Sequence, residues 1–221
     1  VGFRPVEGRE EMQLKRQALG ELVSRAEREG RLGTIDRLQM LALRIGEDPT
    51  RKLLDRCAQS PEAMEALGSG DFTSLARRLL SGGIDDIQGW LEANCSDELC
   101  DTIQLTFVRD ANAAWMTKAG TPRADGVKSS DIITHWLKAD APERVEKLAT
   151  LRSAWLTGKG TFREKFPDDP GYQSAVEALD RWVAKLLNMK RALDLAPAIA
   201  AALELGQEYA RVYGETKRAA G

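Results

Sequence analysis

Histidine is nearly missing from this 221-residue chain, which holds one, and cysteine is scarce at three. Cys57, Cys95 and Cys100 form no Cys-x-x-Cys pair, and His135 alone does not complete a zinc ligand set. The thiols read as small packed side chains in a reducing compartment. His135 sits in an apolar-rich stretch, Ile133-Thr-His-Trp136, and reads as a packing or boundary residue. There is no Gly-x-Ser-x-Gly elbow, so nucleophilic hydrolysis has no candidate set. No apolar run approaches the roughly 20 residues of a membrane span. The opening Val1-Gly-Phe-Arg-Pro lacks a basic region followed by an apolar stretch, so it reads as the cut edge of a longer chain and not as a signal peptide. A cytoplasmic protein without a membrane partner is expected. An excess of one charge is missing too. Lys and Arg number 32 against 34 Asp and Glu, for a net charge of −2 and a pI near 5.7. That argues against a strongly basic, autonomous nucleic-acid binder but leaves room for local basic loops.

What the chain does have is helical periodicity, almost without strand alternation. The pattern predicts an all-α protein, an irregular multi-helix bundle of about ten helices. The first runs from about Glu7 to Glu29 with Met12, Leu19, Leu22, Val23 and Ala26 on one face, and Gly30 and Gly33 end it. Thr34 is a candidate cap for the second. Asp48-Pro49 and Ser60-Pro61 have the form of a cap followed by proline at the first helical position. Asp71 is a cap candidate, and Gly82-Gly83 breaks the helix it opens. Ser96 is read as the cap of a middle helix whose ladder Leu99, Ile103, Phe107, Ala111, Trp115 steps by four. Further helices are expected from near Ser130 and from Pro142. Two long ones, about 171–195 and 197–218, are divided at Pro197, which lacks a backbone donor. The whole reads as one helical subdomain, with a weak seam near 68–83.

Chemistry-bearing motifs are few. Gly158-Lys159-Gly160-Thr161 has the look of a phosphate loop, but Gly160 follows the lysine where Ser or Thr is required, and no buried strand precedes it. The pairs Asp85-Asp86 and Asp168-Asp169 stand at helix starts, where capping accounts for them. The five tryptophans lie on apolar helical faces and default to core packing.

Two polar loops stand apart. Trp115-Met-Thr-Lys-Ala-Gly-Thr-Pro-Arg123 echoes Trp155-Leu-Thr-Gly-Lys-Gly-Thr-Phe-Arg163. A weaker echo, Asp85 to Leu91 against Asp131 to Leu137, lies at a different offset. There is thus no fixed repeat period, and reuse of one way to end a helix explains the echo as well as duplication does. The loops carry Lys118, Arg123 and Lys128, and Lys159, Arg163 and Lys165, as candidate phosphate contacts among glycines and threonines. Trp115 and Trp155, each the last apolar residue before its loop, are candidates for base stacking.

From Asp131-Ile-Ile-Thr-His-Trp136-Leu137 through Leu151-Arg-Ser-Ala-Trp155-Leu-Thr157, Gly160 and Arg163, the chain resembles AddA-type double-strand break repair helicase-nucleases, which are UvrD-like superfamily 1 motors. The closing run Tyr209-Ala-Arg-Val-Tyr213 to Lys217 and Gly221 is similar to the segment leading into the family's second motif. Phe3-Arg-Pro-Val-Glu to Met12 is similar to the stretch after its motif Ia/Ib region. Trp155 and Gly158 stand where the family usually has Phe and Lys. The resemblance implies an internal helical insertion of the first motor domain, contacting DNA, the rest of the helicase and a partner subunit. The ATP and magnesium sites of such a parent would lie outside this chain, which is expected to hold no cofactor. The alternative is a stand-alone helical scaffold that binds a protein partner. On either reading the purified chain hydrolyses no ATP. Steady turnover in a coupled ATPase assay, abolished by Lys159→Ala, would overturn the family resemblance.

Overall fold

A computed structural model describes residues 8–220. The described residues form eleven α-helices and no strand, an all-α multi-helix fold. In order these are α1 (Arg9–Arg28), α2 (Leu32–Ile45), α3 (Glu47–Gln59), α4 (Pro61–Ala66), α5 (Phe72–Ser81), α6 (Ile87–Cys95), α7 (Thr102–Ala113), α8 (Ala124–Lys138), α9 (Ala141–Glu146), α10 (Leu148–Arg152) and α11 (Tyr172–Ala220). The expected start at Glu7, and the run from Phe3 to Glu7, lie outside the described residues. No described helix is long and apolar enough to cross a membrane. The helices fall into two compact units. Of the described residues, one comprises 8–80 together with 195–220, and the other is Ser81–Asp194.

In the first unit, α1 buries Leu14, Ala18 and Leu22 in one cluster with Leu41, Leu54, Leu205, Tyr209 and Val212, and Ala26 is buried as well. The buried stripe is rotated from the expected one, and Met12 is exposed. Polar pairs tie the end of α11 to α1 and α2. Arg25 pairs with Glu21 and Glu215, Arg31 with Glu208, and Arg37 with Glu204. Thr34 is not a cap. The helix starts at Leu32 and runs through Gly33, and the buried Thr34 hydroxyl donates to Glu208 at 3.2 Å. A tertiary acceptor has taken the group that the local pattern assigned to the helix end. Asp71 does cap, accepting from the Thr73 and Ser74 amides at 3.0 and 3.1 Å.

The second unit packs Ile87, Leu91, Leu105, Val108, Ile133, Trp136, Leu151, Leu179 and Leu186 into one core. Here the ladder on α7 is corrected. Leu99 and Ile103 are 62 % and 82 % exposed, and the buried line is Leu105, Val108 and Asn112. Asn112 is polar, so hydropathy alone points away from it. Its amide donates to the Val108 carbonyl and to Tyr172 Oη, both at 2.8 Å. The Ser96 assignment changes for a related reason. Its hydroxyl donates backward to the Ala93 carbonyl at 2.8 Å and closes α6, while Asp101 caps α7 by accepting from the Gln104 amide at 2.9 Å. Pro197 does not divide the last helix. α11 runs unbroken for 49 residues, with Ala196 and Ala198 buried on either side of the proline. The packing of these flanks outweighs the missing donor. All three cysteines are buried and free, and burial pushes the Cys95 thiol up to about 12, so it stays protonated.

The polar centre of this core is Arg144, buried although charged. Its Nη1 donates to the Cys95 carbonyl at 2.9 Å, Nη2 to that of Leu137 at 2.6 Å and Nε to that of Trp136 at 3.1 Å. Asp97 pairs with it at 2.7 Å, and the Trp136 ring lies beneath the guanidinium at 4.9 Å. One side chain thus satisfies the carboxyl ends of α6 and α8, whose last carbonyls have no helical partner. Arg144→Met, of similar reach but without donors, is expected to destabilise by at least about 3 kcal/mol, because several buried acceptors lose partners together. Urea denaturation of the two proteins at pH 7 measures this. An unchanged midpoint would refute the role.

Candidate functional site

The two echoed loops fold into the same structure. In each, the arginine amide donates to the tryptophan carbonyl, Arg123 to Trp115 at 2.9 Å and Arg163 to Trp155 at 3.2 Å. The first threonine amide donates to the second threonine carbonyl, Thr117 to Thr121 at 2.7 Å and Thr157 to Thr161 at 2.8 Å. The glycine amide closes the tip, Gly120 onto Thr117 at 3.0 Å and Gly160 onto Thr157 at 2.9 Å. The paired hydroxyls bond at 2.7 and 2.8 Å. Single antiparallel bridges, Met116 to Pro122 and Leu156 to Phe162, complete two miniature hairpins. Gly120 and Gly160 adopt φ of 75° and 77°, a region that side chains disfavour, and this fixes glycine at both tips.

The hairpins are neighbours. The buried Ser129 hydroxyl, on α8 just after the first hairpin, donates to the Ala154 carbonyl at the root of the second at 2.7 Å. Gly126 lets the start of α8 lie close against the end of α7 and the first hairpin's tryptophan. A Cβ there would sit 2.5 Å from the Asn112 carbonyl oxygen and 3.3 Å from the Trp115 ring. Trp115, Trp155, Arg163 and Lys165 line one cleft with Phe162, Phe166 and Tyr172. Phe166 and Tyr172 stack at 6.0 Å, and burial raises the Tyr172 phenol above its usual pKa. The cleft holds about 70 Å³, roughly the share of two waters.

The candidate residues separate accordingly. Lys118, Lys159 and Lys165 are exposed, and Arg123 and Arg163 are half-buried. Lys128 lies away from the cleft, in a second groove with Val127, Asp131, Ile132 and Lys147 that also takes the exposed His135. The stacking assignment of Trp155 is corrected: its ring is 3 % exposed, packed in the core, and offers no face to a base. Trp115 is half-buried, with the Arg123 guanidinium 4.4 Å above its ring, so a base could stack there only by displacing that arginine. The Arg163 guanidinium donates to the Ser153 carbonyl at 2.9 Å.

The second hairpin has an anchor that no sequence signal marked. Asp180 on α11 accepts from Arg152 Nε and Nη2 at 2.8 and 2.9 Å and from Trp155 Nε1 at 2.8 Å. Asn112, Ser129 and Gly126 also escaped the sequence reading. Of these only Gly126, a glycine inside a helix start, carried a visible sign. No group of three or more His, Cys, Asp or Glu among the described residues is placed to hold a metal ion. The chain matches no family model, no curated protein and no solved structure.

The Arg152 hydrogen bonds hold the Asp180 carboxyl below its usual pKa, with Trp155 adding to the effect. The stabilisation this brings is complete above the unfolded carboxylate pKa, about 4. It is lost as pH falls through the lower folded value. Asp180→Asn is expected to cost about 1–2 kcal/mol at pH 7 and to flatten the acid limb of stability. Thermal melts from pH 6 down to pH 3 compare the two. Curves that stay parallel would remove Asp180 from the anchor.

Proposed function

We propose that this chain is an accessory, DNA-contacting helical module of a helicase-nuclease that acts in double-strand break repair. On this reading it is non-catalytic itself and works beside the parent's motor and partner subunit. The observation that carries it is the pair of matching hairpins around one cleft, with Lys118, Arg123, Lys159, Arg163 and Lys165 on or beside them. Their contact with nucleic acid would be through phosphates. Trp155 is buried, and Trp115 already carries an arginine. The sequence resemblance supports the helicase context; the hairpins support only phosphate binding. A second reading, a helical scaffold for a protein partner, draws on the groove along α8 lined by Val127, Ile132 and Trp136.

The test replaces Lys118, Arg123, Lys159 and Arg163 with glutamine, which keeps a hydrogen-bond donor for the Ser153 carbonyl. Binding of the wild type to labelled DNA at low salt should be weak and fall steeply with added salt. The variant should bind at least about tenfold more weakly. The loss should be equal across sequences, because phosphates carry no sequence information. The variant should keep its helical spectrum and melting temperature. Equal binding by the two proteins would favour the scaffold.

A further inference from the structure

The first unit holds a groove of about 820 Å³ between α4 and the last turns of α11. Its floor continues a stripe of small residues on α11, Gly206, Ala210 and Gly214, spaced by four and so on one face. At Gly206 the stripe is already used. A Cβ there would stand 2.5 Å from Cys57 Sγ and 3.5 Å from Met64 Sδ, so α3 and α4 rest on nearly bare backbone. At Gly214 a Cβ would meet nothing within 4 Å. The same surface that packs helices at one end is open at the other. The wall formed by α4 is held in place. Gln207 Nε2 donates to the Met64 carbonyl at 2.6 Å and to the Gly68 carbonyl at 2.9 Å, which ties the end of α4 to α11 and leaves the groove formed in advance.

We infer that this groove docks an acidic amphipathic helix of a protein partner. Its sign follows from the surroundings, where Arg211, Lys217 and Arg218 outnumber the acids Glu65, in the lining, and Glu215, beside Arg211, in a chain of net charge −2. Arg211 pairs with Glu215 and Arg218 reaches the Gly214 carbonyl, and each guanidinium keeps further N–H donors for a carboxylate. Its polymer class follows from the wall. A phosphate backbone is held by cations and N–H groups, whereas Met64 with Ala210 and Gly214 suits the apolar face of a helix laid in a groove. Met64 adds a side chain that adapts to the residue it meets. The groove belongs to the first unit and the hairpins to the second, so this inference does not rest on the DNA reading.

The experiment uses the full chain and a fluorescein-labelled peptide of about 18 residues, long enough to form helix. Leucine and alanine occupy one face and glutamate the other. Fluorescence anisotropy should show saturable binding that weakens with salt. A peptide of the same composition with the faces scrambled, and one with lysine for glutamate, should bind at least tenfold more weakly. Two variants locate the site. Gly214→Leu fills the open stripe with a better helix former and should abolish binding without lowering the melting temperature. Arg211→Gln with Lys217→Gln should weaken binding about tenfold. Equal binding of the scrambled peptide, or undiminished binding to the folded Gly214→Leu protein, would overturn the inference. So would a single-stranded oligonucleotide that displaces the peptide and is itself unaffected by Gly214→Leu.

Discussion

The arrangement around the hairpins depends on one buried cation. Arg144 joins the carboxyl ends of α6 and α8 with a single guanidinium, and without it the Cys95 and Leu137 carbonyls would lose this donor, while that of Trp136 would keep the Ala139 amide. The exchange is mutual, since Trp136 Nε1 donates to the Arg144 carbonyl at 3.0 Å. The Trp136 ring meets Trp182 edge-on, with centroids 5.9 Å apart. Trp182 stands two residues after Asp180, the group that accepts from Trp155 and Arg152. The buried arginine and the root of the second hairpin are thus both referred to one turn of α11, through different faces of that helix. The same α8 that Arg144 closes at one end begins at the foot of the first hairpin. Arg144 suits the position because its planar fork offers donors in several directions at once, which a lysine does not.

Each hairpin carries its own instructions. The two threonines join through amide, carbonyl and hydroxyl, the glycine takes the left-handed tip, and the tryptophan and arginine close the base. These interactions are local, so the geometry recurs in two different settings. It also leaves the tip residues that carry charge, Lys118 and Lys159, exposed. Such a loop presents cations on a turn bonded to itself, without a sheet to support it.

That locality marks what was legible in the sequence. The all-α class followed from periodicity, and the echo of Trp115–Arg123 in Trp155–Arg163 announced a shared structure whose bonds lie within nine residues of chain. What escaped was set by distant partners. Thr34 left its capping role for Glu208, 174 residues away. Leu99 and Ile103 fit a four-residue ladder, yet the helix turns Asn112 inward because Tyr172 supplies an oxygen for its amide. Pro197 reads as a stop, and the helix continues because its flanks are packed. Arg144 and Asp180 are ordinary charges in a chain rich in them, and only the fold sets one among three carbonyls and the other on an indole N–H. The stacking role for Trp155 failed for the same reason: a tryptophan before a basic loop does not reveal which way its ring turns.

The two hairpins share a form but not a mooring. The second has its indole sunk in the core and pinned to Asp180, whereas the first is held by a half-covered ring, an arginine resting on it and a glycine alongside. Lifting the second therefore means drawing Trp155 out of the interior, an opening as rare as loss of the unit's packing. The first has to free the half-buried Trp115 from Arg123 and from its contact beside Gly126, a smaller loss. One loop then acts as a fixed reference and its twin as a yielding arm, so any ligand that needs to adjust its fit would find the compliance at Trp115.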